Sequence, residues 1–152
     1  MRIFLVCFTA WFVAQIIKVI INFTKYVYNK KKGRKHNKVT WETFFKLGGM
    51  PSSHTATVIS LCACIGMTSG WDSNMFAVSG VFAFITMFDA VKVRLPISRL
   101  TDAFNRLQGK VCGEEATDVK KVEGHTIPEI CGGFVVGAVV ALFMVKVVGI
   151  LG

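Results

Sequence analysis

Gly48-Gly49-Met50-Pro51-Ser52-Ser53-His54-Thr55 stands directly before an apolar segment. Two glycines free the backbone for a close approach, Pro51 has the fixed φ that suits a first helical turn, and Ser52 and Ser53 are good capping residues. The run therefore predicts a helix N-terminus with uncommitted N–H groups and a histidine in its first turn. Such a terminus is a ready place for a phosphate, and it serves equally as a plain structural cap. Short motifs of this kind leave both readings open.

The composition around it is that of a membrane protein. The 152 residues are 53% hydrophobic with a mean hydropathy of +0.53, too apolar for an ordinary soluble domain. The formal charge of +9 does not point to nucleic acid, because the basic residues flank apolar segments and form no face interleaved with aromatics. Anionic lipid head groups fit that placement better. The cysteines, Cys7, Cys62, Cys64, Cys112 and Cys131, are odd in number, and four lie in or beside apolar stretches. Free buried thiols are expected, and Cys62-x-Cys64 has no second pair or nearby histidine to make a zinc site.

Four spans follow from the apolar runs. Residues 3–23 are long enough to cross a hydrocarbon core of ~30 Å at ~1.5 Å per residue. A signal peptide is the other reading of this run, but no small-residue cleavage site ends it, its basic residues follow rather than precede it, and Gln15, Lys18 and Asn22 give it a polar stripe. A basic stretch from Lys25 to Lys38 then contains no acid, and Trp41, Phe44 and Phe45 return the chain to the interface. The second span is 55–70 and the third 75–93, with a turn at 69–74 that carries no basic residue. In 97–108, Ile97, Leu100, Phe104 and Leu107 share one helical face with Arg99, Asp102 and Arg106 off it, which predicts a short interfacial helix. The last span is 127–151, with Gly132, Gly133, Gly137, Ala138 and Ala141 suited to close packing. The expected fold is all-α: one domain, a polytopic four-helix membrane bundle with a short interfacial helix.

Loops 24–50 and 92–126 hold 15 of the 18 Lys and Arg residues, which places both in the cytoplasm and both termini outside. Lys18, His54, Asp89, Arg94, His125 and Glu129 then fall at one depth near that face. Ionisable groups within spans are costly and tend to gather in the bundle interior, so one shared site is expected there. Taken singly, each has a plainer explanation: Lys18 snorkelling, Asp89 pairing with Lys92 or Arg94, the histidines as caps.

Gathered together, these residues suit phosphoryl transfer. Glu129, one turn after His125, accepts a hydrogen bond from one ring nitrogen and leaves the other as a lone-pair nucleophile. His54 is placed to protonate the leaving oxygen, while Lys18, Arg94, Lys120 and the N–H groups around Ser52–His54 hold the phosphoryl oxygens. Two histidines and a carboxylate could instead bind Zn²⁺ or Fe²⁺, but the surrounding cations disfavour a dication. No metal and no cofactor are expected.

At these positions the sequence resembles the type 2 phosphatidic acid phosphatase superfamily. Met50-Pro51-Ser52-Ser53-His54 is similar to its Pro-Ser-Gly-His motif, and Gly124-His125-Thr126-Ile127-Pro128-Glu129 to its later motif of a histidine followed four residues on by an acid. Gly48–His54, Asp89–Arg94 and Lys120–Glu129 match more closely a divergent branch of small four-span bacterial and plant proteins related to acid phosphatases and vanadium-dependent haloperoxidases. The resemblance covers nearly the whole chain. It implies His125 as nucleophile, Glu129 as its orienting acid, His54 as general acid, and Lys18, Ser52, Ser53, Arg94 and Lys120 as phosphate ligands, with Asp89 beside them in the substrate site. Departures from the superfamily pattern are Val119 where it has an arginine, no Arg-Pro following Lys18, and a glutamate at 129 where aspartate is usual. The expected activity is hydrolysis of a phospholipid or prenyl phosphate in a bacterial cytoplasmic membrane, with homo-oligomerisation a further expectation. The competing expectation is a non-catalytic protein that binds phosphate or phospholipid head groups.

Overall fold

The structure, a computed structural model, describes residues 2–32, 49–111, 119–120, 123–147 and 149. The outer part of the first basic loop, Trp41, Phe44, Phe45, Gly48 and Cys112 lie outside the described residues. Among the described residues the chain is an all-α membrane bundle of four helical rods. Helix α1, Arg2–Lys31, runs 30 residues because no Gly or Pro interrupts it, well past the expected end of the span at 23. Lys30 and Lys31 in its last turn complement the helix dipole. Helix α2 is Ser53–Ser69. Helix α3, Asn74–Phe88, passes through a π-helical turn, Asp89–Arg94, into α4, Leu95–Val111. Helix α5, Ile127–Leu142, ends in a second π-helical turn, Phe143–Val147.

Three of the four rods, Arg2–Lys31, Asn74–Val111 and Ile127–Val147, are long and apolar enough to cross a membrane. The fourth, α2, has 17 residues, about 26 Å at the usual rise. It is the central helix, packed against α1, α3 and α5, so its length and polarity are set by helix neighbours more than by lipid. Its buried residues include Ser53, Thr55 and Ser60 alongside Ala56, Val58, Ile59 and Cys64. Small residues allow the close approach. A Cβ on Gly133 of α5 would overlap the Ser52 carbonyl and meet Thr55 Cβ at 2.9 Å, and one on Gly137 would overlap the Ala56 carbonyl. The large apolar side chains point outward: Phe4, Phe8, Phe12 and Phe23 on α1, Phe82, Phe84 and Phe88 on α3, and Phe134 on α5 are all exposed. In water this would be an aggregating surface, and in hydrocarbon it is the solvated one.

One expected boundary is absent. The interfacial helix expected over 97–108 is not a separate element: the helix of the third span continues through Pro96 into it. Pro96 has no N–H to give and its ring crowds the carbonyl four residues back, and the π-helical turn just before it widens the ladder and lets the chain pass. The amphipathic segment is thus the continuation of the third rod, with Ile97, Leu100, Phe104 and Leu107 exposed along one face as the sequence spacing requires.

Candidate functional site

Helix α2 begins at Ser53, two residues later than Pro51 as a first helical residue would place it. Pro51 follows a cis bond from Met50, and Ser52 is the N-cap, with extended backbone and its hydroxyl accepting from the Thr55 N–H at 3.3 Å and the Thr55 hydroxyl at 3.0 Å. The Ser52 N–H donates to the Glu129 carbonyl at 2.9 Å. Helix α2 therefore starts against α5, and the Ser52 N–H, one of the donors expected to be uncommitted, is already used. The N–H groups of Ser53 and His54 remain at the helix start.

His125 comes from the segment just before α5. Gly124 precedes it because a Cβ there would collide with the backbone at Arg94 and Leu95. The His125 N–H donates to the Ala90 carbonyl in the π-helical turn at 3.1 Å, and its side chain is only 3% exposed. Glu129 Oε2 lies 3.2 Å from His125 Nδ1 and accepts the Thr126 N–H at 3.0 Å. One carboxylate thus caps α5 and fixes the imidazole. With a carboxylate as the Nδ1 partner, that nitrogen carries the proton and Nε2 carries the lone pair. Burial, the largest influence, pushes the imidazole below its ordinary range, and the Lys18 charge adds to it; the Glu129 hydrogen bond and charge, and Glu123, oppose it.

His54, in the first turn of α2, faces this histidine, with ring centroids 6.3 Å apart and planes at 60°. His54 is exposed, unlike the buried histidine of a plain structural cap, and His125 is the buried one. Asp89 and Arg94 complete the arrangement. Five residues apart, they would diverge by about 140° on an α-helix, and the wider π-helical turn brings them together, so that Arg94 Nε donates to Asp89 Oδ2. His54, Asp89, Arg94 and His125 line one cleft of about 320 Å³ measured to its open mouth.

The remaining expected residues sit around it differently. Lys18 is 1% exposed, with its stem near Gly49, and the Glu123 and Glu129 carboxylates are the charges that act on it. Ser52 and Ser53 are buried at the α2 start. Lys120 is exposed and does not line the cleft; its neighbour Val119 is held on α4 by Asn105, which bonds both the Val119 carbonyl, at 2.9 Å, and its N–H, at 3.0 Å. Thr86 and Glu123 also line the cleft and were not singled out from the sequence. Thr86 lies one turn before Ala90 on the same rod, a helical spacing that signals it; Glu123 sits in a mixed-charge stretch that gives no such signal. Among the described residues no three His, Cys, Asp or Glu side chains are grouped to hold a metal ion.

Comparison with known proteins gives the family of the chain. YuiD of Bacillus subtilis (strain 168), described as an uncharacterized membrane protein, is 34% identical over 145 residues, covering 86% of this chain and 85% of that protein. No solved structure matches the chain. The family model described as "Divergent PAP2 family" matches residues 1–140. The chain belongs to the divergent PAP2 family, the branch its motifs resemble.

Proposed function

We propose that this multi-pass membrane protein is a phosphatase that hydrolyses a phosphate or pyrophosphate carried by a lipid, through a phosphohistidine intermediate and without a metal. The observation that carries the reading is the His125–Glu129 pair facing His54 across a cleft that also holds Arg94. His125 Nε2 attacks phosphorus, and the bond to the leaving oxygen breaks as His54 gives that oxygen a proton. Glu129 stabilises the imidazolium that develops on His125. Arg94 and the N–H groups at the α2 start take the charge that spreads over the phosphoryl oxygens. Water then attacks the phosphohistidine, giving its proton to His54, which restores both histidines and releases phosphate.

The basic-loop asymmetry supports a cytoplasmic site with both termini outside. A reporter fused to either terminus checks it, and a cytoplasmic signal would overturn that orientation. The activity is tested by phosphate release from phosphatidate, phosphatidylglycerophosphate and a prenyl diphosphate in detergent, with His125→Ala as control. Release by the native chain and none by the variant supports the reading. No release from any substrate would favour the second reading, a binding protein for phosphate head groups.

A further inference from the structure

Helix α4 carries its apolar side outward. Ile97, Leu100, Phe104, Leu107 and Val111 are exposed, Leu100 by 70%, Leu107 by 63% and Val111 by 82%. Its polar side is turned to the protein instead: Ser98 is buried, Thr101 and Gln108 are half-buried, and Asn105 clamps the Val119 backbone. Among the described residues α4 packs broadly only on the π-helical turn of its own rod. Lipid accounts for the other exposed apolar faces of the bundle, but two observations set this one apart. The rod Asn74–Val111 has 38 residues, about 57 Å at the usual rise, and a hydrocarbon core takes only ~30 Å of that. From Asp89 onward charges recur at Lys92, Arg94, Arg99, Asp102 and Arg106, so α4 is the part that runs past the core.

The stripe is also narrow. Its members are spaced 3, 4, 3 and 4 residues apart, a heptad seam with Ile97, Phe104 and Val111 at a and Leu100 and Leu107 at d; the flanking e and g places hold Thr101, Ala103, Gln108 and Lys110. A helix that lies on lipid needs a wider apolar face to sink into it. We propose that α4 is a dimer seam whose occupant is α4 of a second copy of this chain, the two paired as a parallel coiled coil at the membrane surface. The membrane holds every copy in one orientation, so a two-fold axis along its normal sets the helices parallel and in register, a against a and d against d. β-Branched Ile97 and Val111 at a with leucine at both d places is the set that favours two strands, and Phe104 departs from it. Two copies of a chain with formal charge +9 repel, and α4 keeps that repulsion off the seam: Arg99 and Arg106 lie at c, away from the partner, and Lys110 is the one charge at its e and g edges. About two heptads make a weak pair in free solution, and confinement to one membrane in one orientation removes part of the cost of association.

The pairing does not depend on the proposed activity. It is tested on the purified full-length protein in vesicles of phosphatidylcholine and phosphatidylglycerol, with Cys112 and Cys131 replaced by serine. Leu100→Cys and Leu107→Cys each put two thiols within disulfide reach across the seam and should give a covalent dimer under mild oxidation, whereas Arg99→Cys and Arg106→Cys, also on the exposed surface of the helix, should not. Non-covalent pairing is read as energy transfer between copies labelled at the N-terminus with donor or acceptor and mixed in the same vesicles. Leu100→Ala with Leu107→Ala should abolish the transfer, and Arg99→Ala with Arg106→Ala should leave it, both with an unchanged far-UV helix signal. No transfer in the native chain would give the face to lipid or to another segment of the same chain and overturn the proposal. Transfer that survives the double leucine variant, or cross-links no stronger at Leu100 and Leu107 than at Arg99 and Arg106, would overturn it as well.

Discussion

The two ends of the bundle are built on opposite terms. At the Trp71 end, Val6, Cys64 and Ala141 form a buried cluster with Ile3, Met67 and Met144 packed on it, and Trp71 lies over Gly66 and against Phe76, ring centroids 5.1 Å apart. The connection there needs only Gly70 at φ +95° and Ser73 capping α3. At the histidine end the interior holds Gln15, Lys18, Ser52, Ser53, Thr55 and His125, all buried, and the backbone joins three rods through Ser52 to Glu129 and His125 to Ala90. Burying polar groups costs stability unless each is bonded, and a Gln15 oxygen is buried without a partner among the described residues. One end is built from packing alone. The other buries polar and ionisable groups at a cost, and the proposed chemistry lies there.

If the difference is functional, its largest consequence is at His125. His125→Ala should abolish phosphate release for every substrate, because no covalent intermediate can form, while the variant stays folded by thermal melt. Near-native release would make the histidine end a binding site only. The next largest effect is His54→Ala, and it depends on the leaving group. A lipid alkoxide needs a proton and should lose ~10²–10⁴-fold in rate. An aryl phosphate whose leaving group is stable as an anion should lose much less, and equal losses on both would remove His54 as the acid.

The same asymmetry decides what was legible beforehand. The four rods, Gly133 and Gly137 at the close approach, and the gathering of His54, Asp89, Arg94 and His125 all follow from periodicity and from where charges interrupt apolar runs. The continuity of the helix through Pro96 does not, because proline normally marks a boundary and only the π-helical turn overrides it. Glu123 and the Asn105 clamp on Val119 were not legible for a related reason. Both act in an irregular segment, where no period relates sequence position to direction.

Two glycines sharpen the comparison at moderate effect. A Cβ at Gly66 would press on the Trp71 ring at 2.5 Å, and one at Gly133 on the Ser52 carbonyl. Gly66→Ala and Gly133→Ala should each cost about 1–3 kcal/mol by overpacking, seen as a lowered Tm. Gly66→Ala should keep native kcat, because the proposed chemistry lies at the other end. Gly133→Ala should lose kcat as well, since Ser52 both caps the helix that presents His54 and bonds Glu129. Equal retention of kcat in the two variants would mean that the ends are not distinguished in this way.

The smallest effect is a shift in pH dependence. A nucleophilic His125 must be neutral, so activity falls as pH drops through its pKa. Burial holds that value below the ordinary 6.5, so the acid limb of kcat/KM should lie below 6.5. The limb of the free enzyme is the one to measure. Glu129 favours the protonated ring through its hydrogen bond and its charge; Glu129→Gln removes that charge and should move the acid limb further down, while also slowing turnover by weakening support for the imidazolium. Glu123→Gln removes a weaker influence of the same sign and should move it down less. Both shifts concern the acid limb alone, and a coupled pair of histidines reports them as apparent values of the pair. An acid limb that rises in Glu129→Gln would mean that the titrating group is not His125, and the nucleophile would have to be reassigned.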